Sequence, residues 1–151
     1  IGKIDFYGIM KYIKLYENFI VDIEHYFVLL LDDDDINIEI SEIDFYFYGN
    51  NINISIGTPT QRHGFLLSSI LDKLYYTFDH LSKEYYICSV EFTIEYRNIN
   101  IFMSNDPKNN KSLESIFKFA SENWSSYKSA DEGISMFNRE ISVLNIIIKK
   151  L

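Results

Sequence analysis

Apolar residues recur at spacings of four and three from Ile9 through Ile13, Tyr16, Ile20, Ile23 and Phe27 to Leu30, while Lys11, Lys14, Glu17, Asp22 and Glu24 fall off that stripe. The spacing predicts a helix over about residues 5–30. Asp32–Asp35 must end it, because four carboxylates at a helix C-terminus oppose the macrodipole. The period then becomes two. Ile36, Ile38 and Ile40 share one face with Asn37 and Glu39 opposite, and the phase inverts across Ser41–Glu42 so that Ile43, Phe45 and Phe47 point inward while Asp44, Tyr46 and Tyr48 point outward. Such an inversion predicts a hairpin connection there, a second turn at Gly49–Asn51, and a third strand through Ile52, Ile54 and Ile56.

Helical spacing returns over residues 65–85, with Leu67, Ile70, Leu74, Phe78 and Leu81 on the inner stripe. Cys88, Val90, Phe92, Ile94 and Tyr96 then alternate with Ser89, Glu91, Thr93 and Glu95, and a phase change at Arg97–Asn98 leads into Ile99, Ile101 and Met103, a second hairpin. Leu113, Phe117, Ala120, Trp124 and Tyr127 mark another helix. Ser129 and Glu132, at capping-box spacing, open a last one with the stripe Ile134, Phe137, Ile141, Leu144 and Ile148. The expected fold is α+β, in the order α-βββ-α-ββ-αα, with an antiparallel sheet of about five strands and helices mainly on one face. No repeat, linker or composition shift divides residues 1–151, so a single domain is expected.

Charge changes this picture more than composition does. The formal net charge is −8, and residues 15–61 hold ten carboxylates with no Lys or Arg, while the remainder of the chain is nearly balanced. Nucleic acid and anionic membranes reward Lys and Arg, so neither suits this segment; a basic protein partner does. Cys88 is the only cysteine. It sits in an apolar run and reads as a buried small hydrophobe, and a chain without a disulfide fits a reducing, cytoplasmic compartment. No apolar run reaches the roughly 20 residues that span a bilayer, and no secretion-signal pattern is visible.

Candidate chemistry is sparse. Asp32–Asp35 do not start an EF-hand loop: counted from Asp32, positions six and twelve are Asn37 and Ile43, and counted from Asp33 they are Ile38 and Asp44. No two histidines have metal-ligand spacing, so neither metal nor cofactor is implied. The carboxylates on the outward sheet face would suit Lys and Arg of a partner, and tyrosines beside them supply rigid contact area. The expected partner-binding set is Asp32, Asp33, Asp34, Asp35, Glu39, Glu42, Asp44, Tyr46, Tyr48, Glu91 and Glu95. The same carboxylates could in principle form a glycosidase pair, which their separation would decide. The loop Thr58–Gly64 concentrates Thr58, Thr60, Gln61, Arg62 and His63 before a helix, and His63 is the best general-base candidate.

Asp32–Asp35 leading into Ile36-Asn37-Ile38-Glu39-Ile40, in a short acidic chain rich in Ile, Asn and Tyr, resembles bacterial toxin-immunity proteins of the polymorphic and contact-dependent inhibition type. That resemblance is one of general character, and it implies a non-enzymatic protein that neutralises a basic cognate toxin, commonly a nuclease, by direct binding. Two rival expectations stand beside it. One is a small enzyme using the Thr58–Gly64 loop, with His63 as base and Arg62 holding an anion. The other is a homo-oligomeric subunit, such as a homodimer, pairing through the face that carries Tyr46 and Tyr48.

Overall fold

The computed structural model describes residues 23–33, 35–45, 49–60, 63–127 and 134–151. A helical turn over residues 23–26 and the short helix α1 (Val28–Leu31) bury Ile23, Phe27 and Leu30, the three members of the predicted first stripe within the described residues. The rest of that predicted helix lies outside them. The chain leaves α1 at Asp32, as the carboxylate run requires, and enters β1 (Asn37–Phe45). Next come β2 (Gly49–Gly57), a two-residue strand β3 (Phe65–Leu66) and helix α2 (Leu67–Leu81), whose inner stripe of Leu67, Ile70, Leu74, Phe78 and Leu81 is buried throughout. The second hairpin is β4 (Tyr85–Ile94) and β5 (Arg97–Met103). Helix α3 (Leu113–Glu122) is opened by Ser112, whose hydroxyl accepts the N–H of Ser115 at 3.1 Å.

The chain closes with β6 (Glu140–Ile141) and β7 (Val143–Lys150). β3 and β6 form a small ribbon, and the other five strands form one antiparallel sheet in the order β1-β2-β7-β4-β5. Among the described residues, the helices cover a single face. Ile52, Ile54 and Ile56 from β2, Leu144, Ile146 and Ile148 from β7, and Val90, Phe92 and Ile94 from β4 share a core with the inner residues of α1, α2 and α3. Phe92 meets Phe117 of α3 at 5.9 Å and Trp124 edge-on at 6.3 Å, and Phe27 meets Phe78 edge-on at 5.7 Å. Helices on one face of an antiparallel sheet make this an α+β fold.

Two predicted details are corrected, and with them the order α-βββ-α-ββ-αα. The last helix does not exist among the described residues. Ser129 and Glu132 lie outside them, and Ile141, Leu144 and Ile148 belong to strands. β7 is central, with β2 on one side and β4 on the other. Its β-branched run Ile146-Ile147-Ile148 fills both faces of a central strand, and a continuous apolar run carries no usable period. The three-strand meander is in fact two strands. β1 runs straight through Ser41–Glu42, paired one-to-one with β2 from Asn37 opposite Gly57 to Phe45 opposite Gly49. The apparent inversion reflects Glu42 on the covered side at the rim of the sheet, where it is half-exposed, and Ile43 on the open side. An edge strand tolerates both, because its side chains reach solvent past the core.

Candidate functional site

Strand register fixes what the face opposite the described helices presents. One row crosses all five strands: Glu39 opposite Ser55, Ser55 opposite Asn145, Asn145 opposite Glu91, and Glu91 opposite Asn100. The neighbouring row runs Asn37, Gly57, Val143, Thr93, Asn98. These two rows are therefore polar and dominated by amides and hydroxyls, with carboxylates at two points, whereas toward the other end of the same face Asn51 and Tyr86 are buried. On the β4–β5 side these groups tie to one another: Thr93 Oγ1 donates to Asn98 Oδ1 at 2.9 Å and Asn100 Nδ2 to Ser89 Oγ at 3.2 Å. Glu39 and Glu91 are three strands apart, about 14 Å at ordinary strand spacing. That exceeds the separation of either glycosidase geometry, so this pair is not one.

At one end of the open face lies a cleft of about 730 Å³. Its floor is the end of the sheet, with Asn37, Gly57, Thr93 and Val143. One wall is the loop that carries Thr58 and His63, and the other is formed by the segment from Ile134 to Ser142 and the β4–β5 turn. Thr58 Oγ1 donates to the carbonyl of His63 at 2.6 Å, which folds the loop back on itself. The Gly64 N–H donates to Glu140 Oε1 at 2.6 Å, which fastens the loop to β6. Across the cleft, buried Arg139 donates through Nη2 to Glu95 Oε1 at 3.1 Å. Among the described residues, three carboxylates, Glu39, Glu95 and Glu140, thus line one concavity with one guanidinium and one imidazole. The cleft suits a cationic group better than an anion.

Glu95 and Tyr96 form the two-residue connection between β4 and β5, with φ of 48° and 65°. Positive φ at both positions is the type I′ hairpin geometry, which favours Asn-Gly. Here it holds a glutamate engaged with Arg139 and a tyrosine that is fully exposed at the cleft rim. The expectation that Tyr96 lies on the inner stripe is corrected: the strand ends at Ile94, and the turn, not Arg97–Asn98, reverses the chain.

The expected contact residues divide. Glu39 and Glu91 share the open face, Glu95 is in the turn, and Glu42 points to the covered side. Asp32, Asp33 and Asp35 lie in the connection before β1. There Asp33 Oδ1 accepts the Asp35 N–H at 3.0 Å and Asp33 Oδ2 is 3.7 Å from Lys73 Nζ. Asp34, Tyr46, Tyr48 and the side chain of Asp44 fall outside the described residues, as do Gln61 and Arg62. His63 does line the cleft, on the wall opposite Arg139. Sequence reasoning missed Tyr96, Arg139 and Glu140. The last two sat in the segment read as a helix, and Glu-Tyr is not a recognisable hairpin signal.

Cys88 is buried at a register shift in β4, and burial pushes its thiol pKa up, only partly offset by a hydrogen bond with Tyr86 and by Lys149. Between α2 and α3, burial first, then Glu114 and Asp72, push the Tyr75 phenol up to about 12. Among the described residues no group of three or more His, Cys, Asp or Glu is placed to hold a metal ion, and no helix is long and apolar enough to cross a membrane. Compared with known proteins, the chain matches no family model, no curated protein and no solved structure.

Proposed function

We propose that this protein is a non-enzymatic acidic binding protein that docks on a basic protein, and that the partner is a cognate toxin neutralised by the contact, as in the immunity proteins it resembles. The observation that carries the reading is the placement of the acidic segment. Its carboxylates are not in a tail: Asp32, Asp33 and Asp35 precede β1, and Glu39 and Glu42 are held within it. Glu39 also lines the cleft that Glu95 and Glu140 make acidic. Fixed charges of one sign accelerate encounter with a basic surface and compete with the nucleic acid such a surface would otherwise bind. Action in the bacterial cytoplasm belongs to the same proposal.

The test is capture of the basic protein encoded beside this chain, with affinity measured against salt. The expected complex weakens as salt rises. Replacing Asp32, Asp33 and Asp35 by Asn and Glu39 and Glu42 by Gln lowers its affinity about tenfold or more. Unchanged affinity and unchanged salt dependence in that variant would refute acidic docking.

A second reading is favoured by the cleft itself, which gathers His63, Thr58 and Arg139 beside carboxylates. It makes His63 an acid–base group in a small enzyme. His63→Gln separates the two, since a binding protein keeps its partner affinity and protective effect in that variant and an enzyme loses its activity.

A further inference from the structure

We infer that the outer edge of β1 is a strand-addition site, which takes a basic extended segment of the protein partner as a sixth strand. The inference rests on the proposed basic partner and specifies how that partner is held. β1 is the terminal strand of the sheet, and among the described residues no strand pairs with its outer side. The two edges of the sheet differ. β5, at the other end, has seven residues, begins at Arg97, and is broken by a register shift where it meets Val90 and Glu91. Short length, charged side chains and a bulge are devices that protect an edge from pairing. β1 lacks the geometric ones, with nine residues in one-to-one register with β2 and no proline, and its charges are carboxylates, Glu39 and the inward-facing Glu42, which repel an acidic strand but not a basic one. A long regular edge offers a row of backbone donors and acceptors to an incoming strand.

Charge selects the occupant. Glu39 and Glu42 point to opposite faces of the sheet. A ligand lying on the open face reaches Glu39 and not Glu42, whereas a strand along the edge passes both. A second copy of this chain is disfavoured there, because strands carrying Glu39 and Glu42 would bring carboxylates together on both sides of the ribbon. The incoming strand is also patterned. On its open side it meets the exposed Asn37, Glu39 and Ser41, which take Lys or Arg; on its covered side it meets half-buried Ile38 and Ile40, which take apolar side chains. The expected occupant therefore alternates basic and apolar residues.

The test uses the full chain and three capped peptides that span β1: one of alternating lysine and valine, the same peptide with alternate amide nitrogens methylated, and one with glutamate in place of lysine. The lysine peptide should slow amide hydrogen exchange at alternate residues within 38–43 by about tenfold. The methylated peptide keeps the charge but lacks the donors on one edge, and it should give no protection; nor should the glutamate peptide. Ser41→Lys, at an exposed position, should abolish the protection while leaving the denaturation midpoint unchanged. Absence of β1 protection with the lysine peptide, or equal protection with the methylated one, overturns strand addition. The basic-partner reading is decided separately, by the salt dependence of the captured complex.

Discussion

Replacing Gly64 by alanine should destabilise the protein, against the usual sign for such a change. A glycine whose backbone suits other residues gains roughly 0.4–1 kcal/mol on becoming alanine, because the unfolded chain loses freedom. At Gly64 there is no room. A Cβ there would collide with the carbonyl oxygen of Ile141 and come within 2.7 Å of Glu140 Cγ and 2.8 Å of the Ile141 carbonyl carbon. Two of these atoms are backbone in β6, so relief requires moving the β3–β6 ribbon. Overpacking of this kind costs about 1–3 kcal/mol. Displacement also breaks the hydrogen bond from the Gly64 N–H to the Glu140 carboxylate, and bonds to charged groups contribute about 1.5–3 kcal/mol. Set against the unfolded-state gain, the net loss should be about 2–4 kcal/mol, or roughly 5–15 °C in Tm for a chain of this size. Urea denaturation followed by circular dichroism and by Trp124 fluorescence measures it. Adding Glu140→Ala should not rescue the variant, because the principal clash is with backbone. A Gly64→Ala protein as stable as the parent, or rescue by Glu140→Ala, would refute the close approach of loop and ribbon that closes this side of the cleft.

Tyr96→Gly should stabilise the fold by about 1 kcal/mol, since a tyrosine at φ 65° with no packing carries strain that glycine does not; a lower urea midpoint would contradict this. Ile146→Lys should abolish folding, because Ile146 is wholly buried beneath the helices, whereas Ile147→Lys, half-buried on the open face, should cost about 1 kcal/mol or less; circular dichroism of the two variants distinguishes strand from helix directly. Cys88 should not react with a thiol reagent in the native protein at neutral pH and should react fully in denaturant, since the thiol is buried with its pKa raised. The raised Tyr75 pKa has a defined sign. The folded state keeps the phenol protonated to about 12 while an unfolded tyrosine ionises near 10, so this contribution is intact below pH 10 and lost as pH climbs toward 12. The parent should therefore lose more stability than Tyr75→Phe over that range, as read from urea midpoints at each pH.

What the sequence revealed depended on how many faces of an element are buried. α2 is buried on one side, and its five-residue stripe was readable position by position. β4 alternates from Ser89 to Ile94 because one face meets the helices and the other meets solvent. β7 lost its signal because Ile147 stands where a polar residue would have marked the open face. β1 gave a false signal because Glu42 and Ile43 exchange the expected characters at a sheet rim, where neither choice is costly. For the site, the acidic content of β1 was visible in composition, but its partners in the cleft were not. Glu39, Glu95 and Glu140 come from three distant stretches, joined only by the strand order that inserts the C-terminal strand between β2 and β4.

That insertion also bears on how the acidic segment works. β1 and β2 pair with each other, but β2 meets the rest of the sheet only through β7, and β7 is the strand that meets β4. An isolated two-stranded unit is marginal in water. The acidic edge is therefore held straight, with Glu39 and Glu42 on fixed sides, only when the C-terminal strand is in place. β7 ends in Lys149 and Lys150, and the opposite edge begins with Arg97, so the positive groups of the sheet lie inboard or at the far side from β1. The sheet is polarised across its width as well as along the chain. A basic partner of the kind proposed would be drawn toward β1 rather than toward β5, and β1 is the edge whose outer side no described strand pairs.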